Sequence, residues 1–134
     1  MFLGTLRSLD NDTAEKLATA LKEVCEAVAV VHGVKCNVIF GANYPAVINS
    51  GSGVKIASEV AEKCGLNVKT LSAPAMSSED FSYFLMNCPD GVFVRLGAGE
   101  DLPPLHNVKF LPPEEVIKPG IEFMVNMVMT VLSK

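Results

Sequence analysis

The 134-residue sequence has no tryptophan, only two tyrosines and two histidines, and just 19% charged residues. With a net charge of −4 and so few rings, it lacks the basic face and stacking platforms that a nucleic-acid surface needs. Its four cysteines, Cys25, Cys36, Cys64 and Cys88, form no Cys-x-x-Cys pair, which argues against a zinc knuckle. No signal peptide is recognisable either: the apolar start Met1-Phe2-Leu3 is too short and has no basic flank. Reduced thiols and a cytoplasmic location are therefore expected. A membrane span is missing too. The richest apolar run, 121–132, is short and contains Glu122 and Asn126, so it reads as a core helix.

What the sequence does have is 49% hydrophobic residues, the composition of an ordered globular protein with enough length for a real core. Residues that could do chemistry concentrate in 72–107. Ser77-Ser78-Glu79-Asp80 stands where a loop should become a helix, with Ser77 and Ser78 competing for its N-cap and Phe81, Phe84 and Leu85 on its buried face. The apolar run Val92-Phe93-Val94-Arg95-Leu96 reads as a buried strand and empties into Gly97-Ala98-Gly99. His106 follows Pro103-Pro104-Leu105, two prolines that stiffen its loop.

In chain order, strands are predicted near 2–8, 34–40, 67–71 and 91–97, and helices near 11–32, 53–64, 78–87 and 113–132. The segment Asp10-Asn11-Asp12 offers cap oxygens for the first helix. Leu17, Leu21, Val24, Cys25, Val28 and Val31 give that helix one apolar stripe, and Gly33 should end it. His32, in its last turn, is most simply a cation favourable to the helix dipole. Residues 34–40 alternate apolar and polar, as a half-buried strand does. Strand, helix and strand of these lengths make a βαβ unit. The segment 41–53 breaks the composition, and Asn49 within it reads as a turn residue. Val54, Ala57, Val60, Ala61 and Cys64 form the next stripe, stopped by Gly65. The last helix has more apolar residues than one stripe can hold, so much of it should be buried.

Several of these segments, taken together and in one order, resemble the M20 metallopeptidases, in particular the branch of hippurate, N-acyl-amino-acid and auxin-conjugate hydrolases. The matching pieces are Gly4-Thr5-Leu6-Arg7, Tyr44-Pro45-Ala46-Val47-Ile48-Asn49, Pro74-Ala75-Met76-Ser77-Ser78-Glu79-Asp80-Phe81, Leu96-Gly97-Ala98-Gly99 and Pro104-Leu105-His106. The resemblance implies an α/β architecture that is part of the M20 fold. Residues 1–46 would be the βαβ remnant of a ferredoxin-like lid, or dimerisation, domain, and 47–134 an α/β segment of the zinc-peptidase catalytic domain. By the same resemblance His106 is a ligand of active-site metals, zinc or manganese, in the complete fold. Arg7, Ser77, Ser78, Glu79 and Gly97 would meet the substrate, Arg7 holding its carboxylate with a planar fork of donors. The family's amino-terminal segment, with most of its metal ligands and its catalytic glutamate, has no counterpart here, and the strand beginning almost at Met1 leads to the expectation of a longer ancestor that has been cut.

A catalytic zinc needs three protein ligands and an open position. One loop histidine and carboxylates with capping roles do not supply them, and no Gly-x-Ser-x-Gly elbow offers a serine alternative. The chain alone is expected to bind no metal, to contain no complete catalytic set and to be inactive. Two readings stand: a piece of a metal-dependent amidohydrolase acting on N-acyl amino acids or peptides, or a non-catalytic dimerising or small-ligand module derived from one. A homodimer, or a complementary amino-terminal chain, is the expected partner.

Overall fold

The computed structural model describes residues 1–133. Among them are four α-helices: α1 (Asn11–Val31), α2 (Gly51–Lys63), α3 (Ser82–Asn87) and α4 (Ile117–Leu132), the last entered through a short 3₁₀ turn at Glu114–Val116. The chain divides into two units. Unit 1 comprises Met1–Ile48 and Leu71–Pro89; unit 2 comprises Asn49–Thr70 and the chain from Asp90 onward.

In unit 1, α1 starts where its cap chemistry requires. One carboxylate oxygen of Asp10 accepts the Thr13 N–H at 2.7 Å and the other accepts the Thr13 hydroxyl at 2.7 Å. The helix ends in a left-handed Gly33 (φ 63°). There the Gly33 N–H reaches the Val30 carbonyl at 3.2 Å and the Val34 N–H reaches that of Ala29 at 3.0 Å. That pair of reversed bonds satisfies carbonyls that would otherwise be orphaned. The more covered face of α1 is built from small residues, Ala14, Ala18, Cys25 and the buried Ala29. The Leu17, Leu21, Val24 and Val28 stripe is 41–60% exposed.

The expected α/β fold is overturned. Among the described residues there is no strand, so the βαβ remnant of a ferredoxin-like domain and the α/β segment after it are both absent. A strand is a ladder shared with a neighbour, not a local conformation. The alternation at 34–40 and the apolar run at 92–96 satisfy the local half of that requirement. No backbone ladder supplies the other half, and Val34, Ile39 and Phe40 remain exposed. With no sheet to lie on, the α1 stripe stays open for the same reason.

The third helix also begins later than Ser77 or Ser78 could cap it. The Ser82 hydroxyl and N–H both reach the Glu79 carbonyl, at 2.7 and 3.3 Å, and Phe84 N–H reaches Phe81 at 3.0 Å. These three-residue closures make 79–82 a tight turn, and α3 starts at Ser82 with no side-chain cap. Ser82 is the residue fully buried there, while Phe84, expected inside, is 68% exposed and stacks on Phe81 at 5.4 Å.

Unit 2 is organised by α2. Ser50 caps it, its hydroxyl accepting the Gly53 N–H at 2.9 Å. Gly65 (φ 74°) closes it, with its N–H on Glu62 at 2.9 Å and that of Leu66 on Ala61 at 2.9 Å. Gly53, Ala57 and Val60, spaced for one helix face, are its buried residues. At Gly53 the chain segment 90–91 comes so close that a Cβ would lie 2.6 Å from the Asp90 carbonyl oxygen. Next to it the Ser50 N–H donates to the Gly91 carbonyl at 3.1 Å. Asn49 then grips Phe93 in both directions, its amide donating to the Phe93 carbonyl at 2.9 Å and its oxygen accepting the Phe93 N–H at 2.8 Å. Ser52 adds a hydrogen bond to the Asp90 carboxylate.

Helix α4 packs on α2. Its half-covered side carries Pro119, Gly120, Phe123, Met127 and Thr130, continuing from Val116 of the 3₁₀ turn, and Gly120 sits where a Cβ would be 3.1 Å from Leu96. The opposite side carries a second apolar stripe that stays open, and no residue of α4 is buried. The surplus of apolar residues is thus real, but the burial expected from it is not found.

Gly53→Ala is expected to destabilise unit 2 by about 1–3 kcal/mol, because the contact is backbone and cannot swing away. Gly51→Ala, with open space around it, should lie between neutral and about 1 kcal/mol stabilising. Denaturant titration of the two variants checks the contrast. The Thr13 N–H, then the Thr13 hydroxyl, hold the Asp10 carboxyl below its usual range. A depressed folded pKa contributes stability above the ordinary carboxylate value of 3.8 and loses it as pH falls through the folded one. Helicity by circular dichroism should therefore decline on acidification below that value, and Asp10→Asn should remove this part of the decline while keeping a cap.

Candidate functional site

Three of the residues singled out by sequence come together in unit 1. The Arg7 guanidinium donates to the Met76 carbonyl, which draws the chain before α3 onto the chain before α1. Around this tie lies a small cavity of about 60 Å³, lined among others by Arg7, Asn11, Tyr44, Met76, Ser77 and Ser78. The fourth, Glu79, is half-buried, and its carbonyl anchors the Ser82 turn.

The cavity's far side is held by residues whose role was not read from the sequence. Asn11, taken as one of several cap oxygens, instead accepts the Ala46 N–H at 2.8 Å. Tyr83 donates its hydroxyl to the Asn43 carbonyl at 2.6 Å and meets Tyr44 edge-on with ring centroids 6.2 Å apart. Two of the ties on the 43–46 loop are therefore side chain to backbone, from positions 35 and 40 residues away. A polar residue inside a helix pattern gives no local sign of such a reach. Asn49 is the parallel case in unit 2: its sequence context suggests a turn residue, and it is a two-bond clamp.

A guanidinium with two hydroxyls around a space of this size suits a carboxylate-sized group and cannot enclose a whole substrate, which needs some hundreds of Å³. Gly97 and His106 stand in unit 2, both exposed. His106 occupies the left-handed region (φ 70°) at the third position of a turn closed by the Asn107 N–H on the Pro104 carbonyl at 3.1 Å. The Asn107 side chain continues the loop by accepting the Lys109 N–H at 2.9 Å. The imidazole is thus presented on a constrained turn.

The metal implied by the M20 resemblance can be tested against the donor set. Among the described residues, no three of His, Cys, Asp or Glu gather closely enough to hold an ion. His106 by itself is one donor where a catalytic zinc takes three. The residues present therefore do not form that centre on their own. Among the described residues, no helix is long and apolar enough to cross a membrane.

Two outcomes are expected at His106. Zinc titration of the purified chain by calorimetry should give no stoichiometric site, and His106→Ala should leave that result unchanged. His106→Asn should retain the turn, since asparagine tolerates positive φ, whereas His106→Val should cost roughly 1–2 kcal/mol, measured by denaturant unfolding.

The profile of peptidase family M20/M25/M40 matches residues 8–130. An N-acetyldiaminopimelate deacetylase of Leuconostoc citreum is 31% identical over 89% of this chain and 30% of its own length. The thermostable carboxypeptidase 2 of Saccharolobus solfataricus is 29% identical over 87% of this chain and 30% of its own. A further N-acetyldiaminopimelate deacetylase, from Exiguobacterium sibiricum, is 32% identical over 92% of this chain and 32% of its own. The chain spans about a third or less of the length of these relatives. No solved structure gives a significant match. On the extent of the profile match and the identities, this chain belongs to the M20/M25/M40 peptidase family.

Proposed function

We propose that this chain is the substrate-recognising part of a metal-dependent M20 amidohydrolase, one that hydrolyses the amide bond of N-acyl amino acids or related peptides, and that it is catalytically incomplete alone. The observation that carries the reading is the meeting of Arg7 with Ser77 and Ser78 around a carboxylate-sized cavity. Arg7 takes the substrate carboxylate in this reading, with Ser77, Ser78, Glu79 and Gly97 contacting the rest of the substrate. His106 contributes one donor to a zinc or manganese centre whose other ligands lie outside this chain. The relatives' names, deacetylase and carboxypeptidase, both describe amide cleavage. Four free cysteines fit a reducing, cytoplasmic setting.

A second reading, a non-catalytic dimerising or ligand-binding module, is favoured by the lack of a ligand cluster among the described residues. Activity separates the two. The purified chain with Zn²⁺ or Mn²⁺ should release no amino acid from N-acetyl or N-benzoyl amino acids. Co-expressed with the portion of an M20 relative that lies outside the matched stretch, it should release product. Arg7→Ala should then raise KM, and His106→Ala should abolish turnover. Hydrolysis by the chain alone, or none in the co-expressed pair, would refute the proposal.

A further inference from the structure

Two dipeptides whose chemistry favours cyclisation of the chain onto itself meet at the start of α2. Asp90-Gly91 is the one Asp-Gly step in the sequence and Asn49-Ser50 the one Asn-Ser step, and there is no Asn-Gly. In such steps the backbone nitrogen of the second residue attacks the side-chain carbonyl carbon of the first. A small second residue, glycine above all, leaves the backbone free to bring the two together. The attack is slow when either partner is held in place.

The fold holds the two steps unequally. At Asn49 both partners are occupied. Its side-chain amide makes two bonds to Phe93, at 2.9 and 2.8 Å, and the Ser50 N–H donates to the Gly91 carbonyl at 3.1 Å. At Asp90 the hold is single. The exposed carboxylate accepts one hydrogen bond, from the Ser52 hydroxyl. Asp90 lies in a turn, and the Gly91 N–H makes no hydrogen bond among the described residues.

We propose that Asp90-Gly91 is a site of spontaneous isoaspartate formation restrained by Ser52, and that the same joint protects Asn49-Ser50. The Gly91 nitrogen bonds to Cγ of the protonated Asp90 carboxyl. The C–OH bond breaks, and the hydroxyl leaves with the Gly91 amide proton as water, giving a cyclic succinimide. Water then adds to one of the ring's two carbonyl carbons, and the C–N bond there breaks. Opening at Cγ restores aspartate. Opening at the other carbon sends the backbone through Cβ and leaves the former Asp90 carbonyl as a free carboxylate. One water is lost and one gained, and nothing is oxidised or reduced.

The position gives the change its consequence. The Asp90 carbonyl oxygen lies 2.6 Å from where a Gly53 Cβ would stand, and the neighbouring Gly91 carbonyl takes the Ser50 N–H. Isomerisation replaces that packed carbonyl by a charge and lengthens the backbone by one carbon, about 1.5 Å. Segment 90–93 then no longer fits against α2, and the bonds of Ser50 and Asn49 lose their register together. None of this depends on the amidohydrolase reading.

The purified chain is aged at neutral pH and physiological temperature, folded and in denaturant. Isoaspartate is mapped by peptide mass spectrometry after digestion with Asp-N protease, which cuts before aspartate and not before isoaspartate. Isoaspartate should accumulate at position 90 while Asp80 and Asp101, also exposed, remain aspartate. Asn49 should deamidate in denaturant and at least about tenfold more slowly in the folded chain. Ser52→Ala, on the exposed first turn of α2 where alanine suits the helix, should speed isomerisation about two- to tenfold, as expected for loss of one hydrogen bond. Ser52→Thr, which keeps the hydroxyl, should keep the original rate. The isolated isoaspartate form should unfold at a lower denaturant concentration. The proposal is overturned if Asp90 isomerises no faster than Asp80 and Asp101, or if Ser52→Ala retains its helicity and leaves the rate unchanged. It is equally overturned if Asn49 deamidates as fast folded as unfolded, or if the isoaspartate form is as stable as the original chain.

Discussion

The close approach of residues 90–93 to the start of α2 is what the rest of unit 2 depends on. Three adjacent positions make it. Asn49 replaces a missing backbone neighbour for Phe93, Ser50 ties Gly91 while capping the helix, and Gly53 offers no side chain where Asp90 passes. With the helix start fixed against this segment, Ala57 and Val60 are carried into the interior, and α4 can close over α2 while Leu96 settles at Gly120. A longer side chain at Gly53 would displace the segment and open all of these contacts together. The small core, with Val60 its largest fully buried apolar side chain, leaves little to compensate.

The helices were legible because their signals are local. Asp10 caps within three residues, Gly33 and Gly65 reverse the chain where glycine is required, and the 3.6-residue pattern needs nothing beyond the helix itself. The strands were not, because alternation at 34–40 or an apolar run at 92–96 shows that a segment suits a sheet without showing that a neighbour exists. The same asymmetry explains the stripes. Leu17, Leu21, Val24 and Val28 form one face, as their spacing predicts, and that face is open, since periodicity locates a face and says nothing about what covers it. Ser77 and Ser78 failed as caps for a different reason. The Ser82 hydroxyl closes on Glu79 first, and the helix can begin only after that turn.

The candidate site was legible in its residue types more than in its geometry. Arg7 and the two serines came from short motifs, and the fold brings them within one cavity wall. The supports behind them, Asn11 on Ala46 and Tyr83 on Asn43, depend on tertiary reach and have no local signature. His106 was read as a histidine held by prolines. Its positive φ adds that the residue lies in the left-handed region of a closed turn, a conformation histidine tolerates better than most residues.

The Asn49 clamp has a consequence for how the molecule meets acid and salt. Both of its bonds join an uncharged amide to uncharged backbone, so neither protons nor dissolved ions act on it directly. The first turn of α1, in contrast, is tied to a carboxylate whose charge does part of the work. Lowering the pH therefore bears on the beginning of unit 1's long helix while the joint between Asn49 and Phe93 in unit 2 goes unaddressed. A single chain thus carries one fastening that responds to its chemical surroundings and one that is indifferent to them.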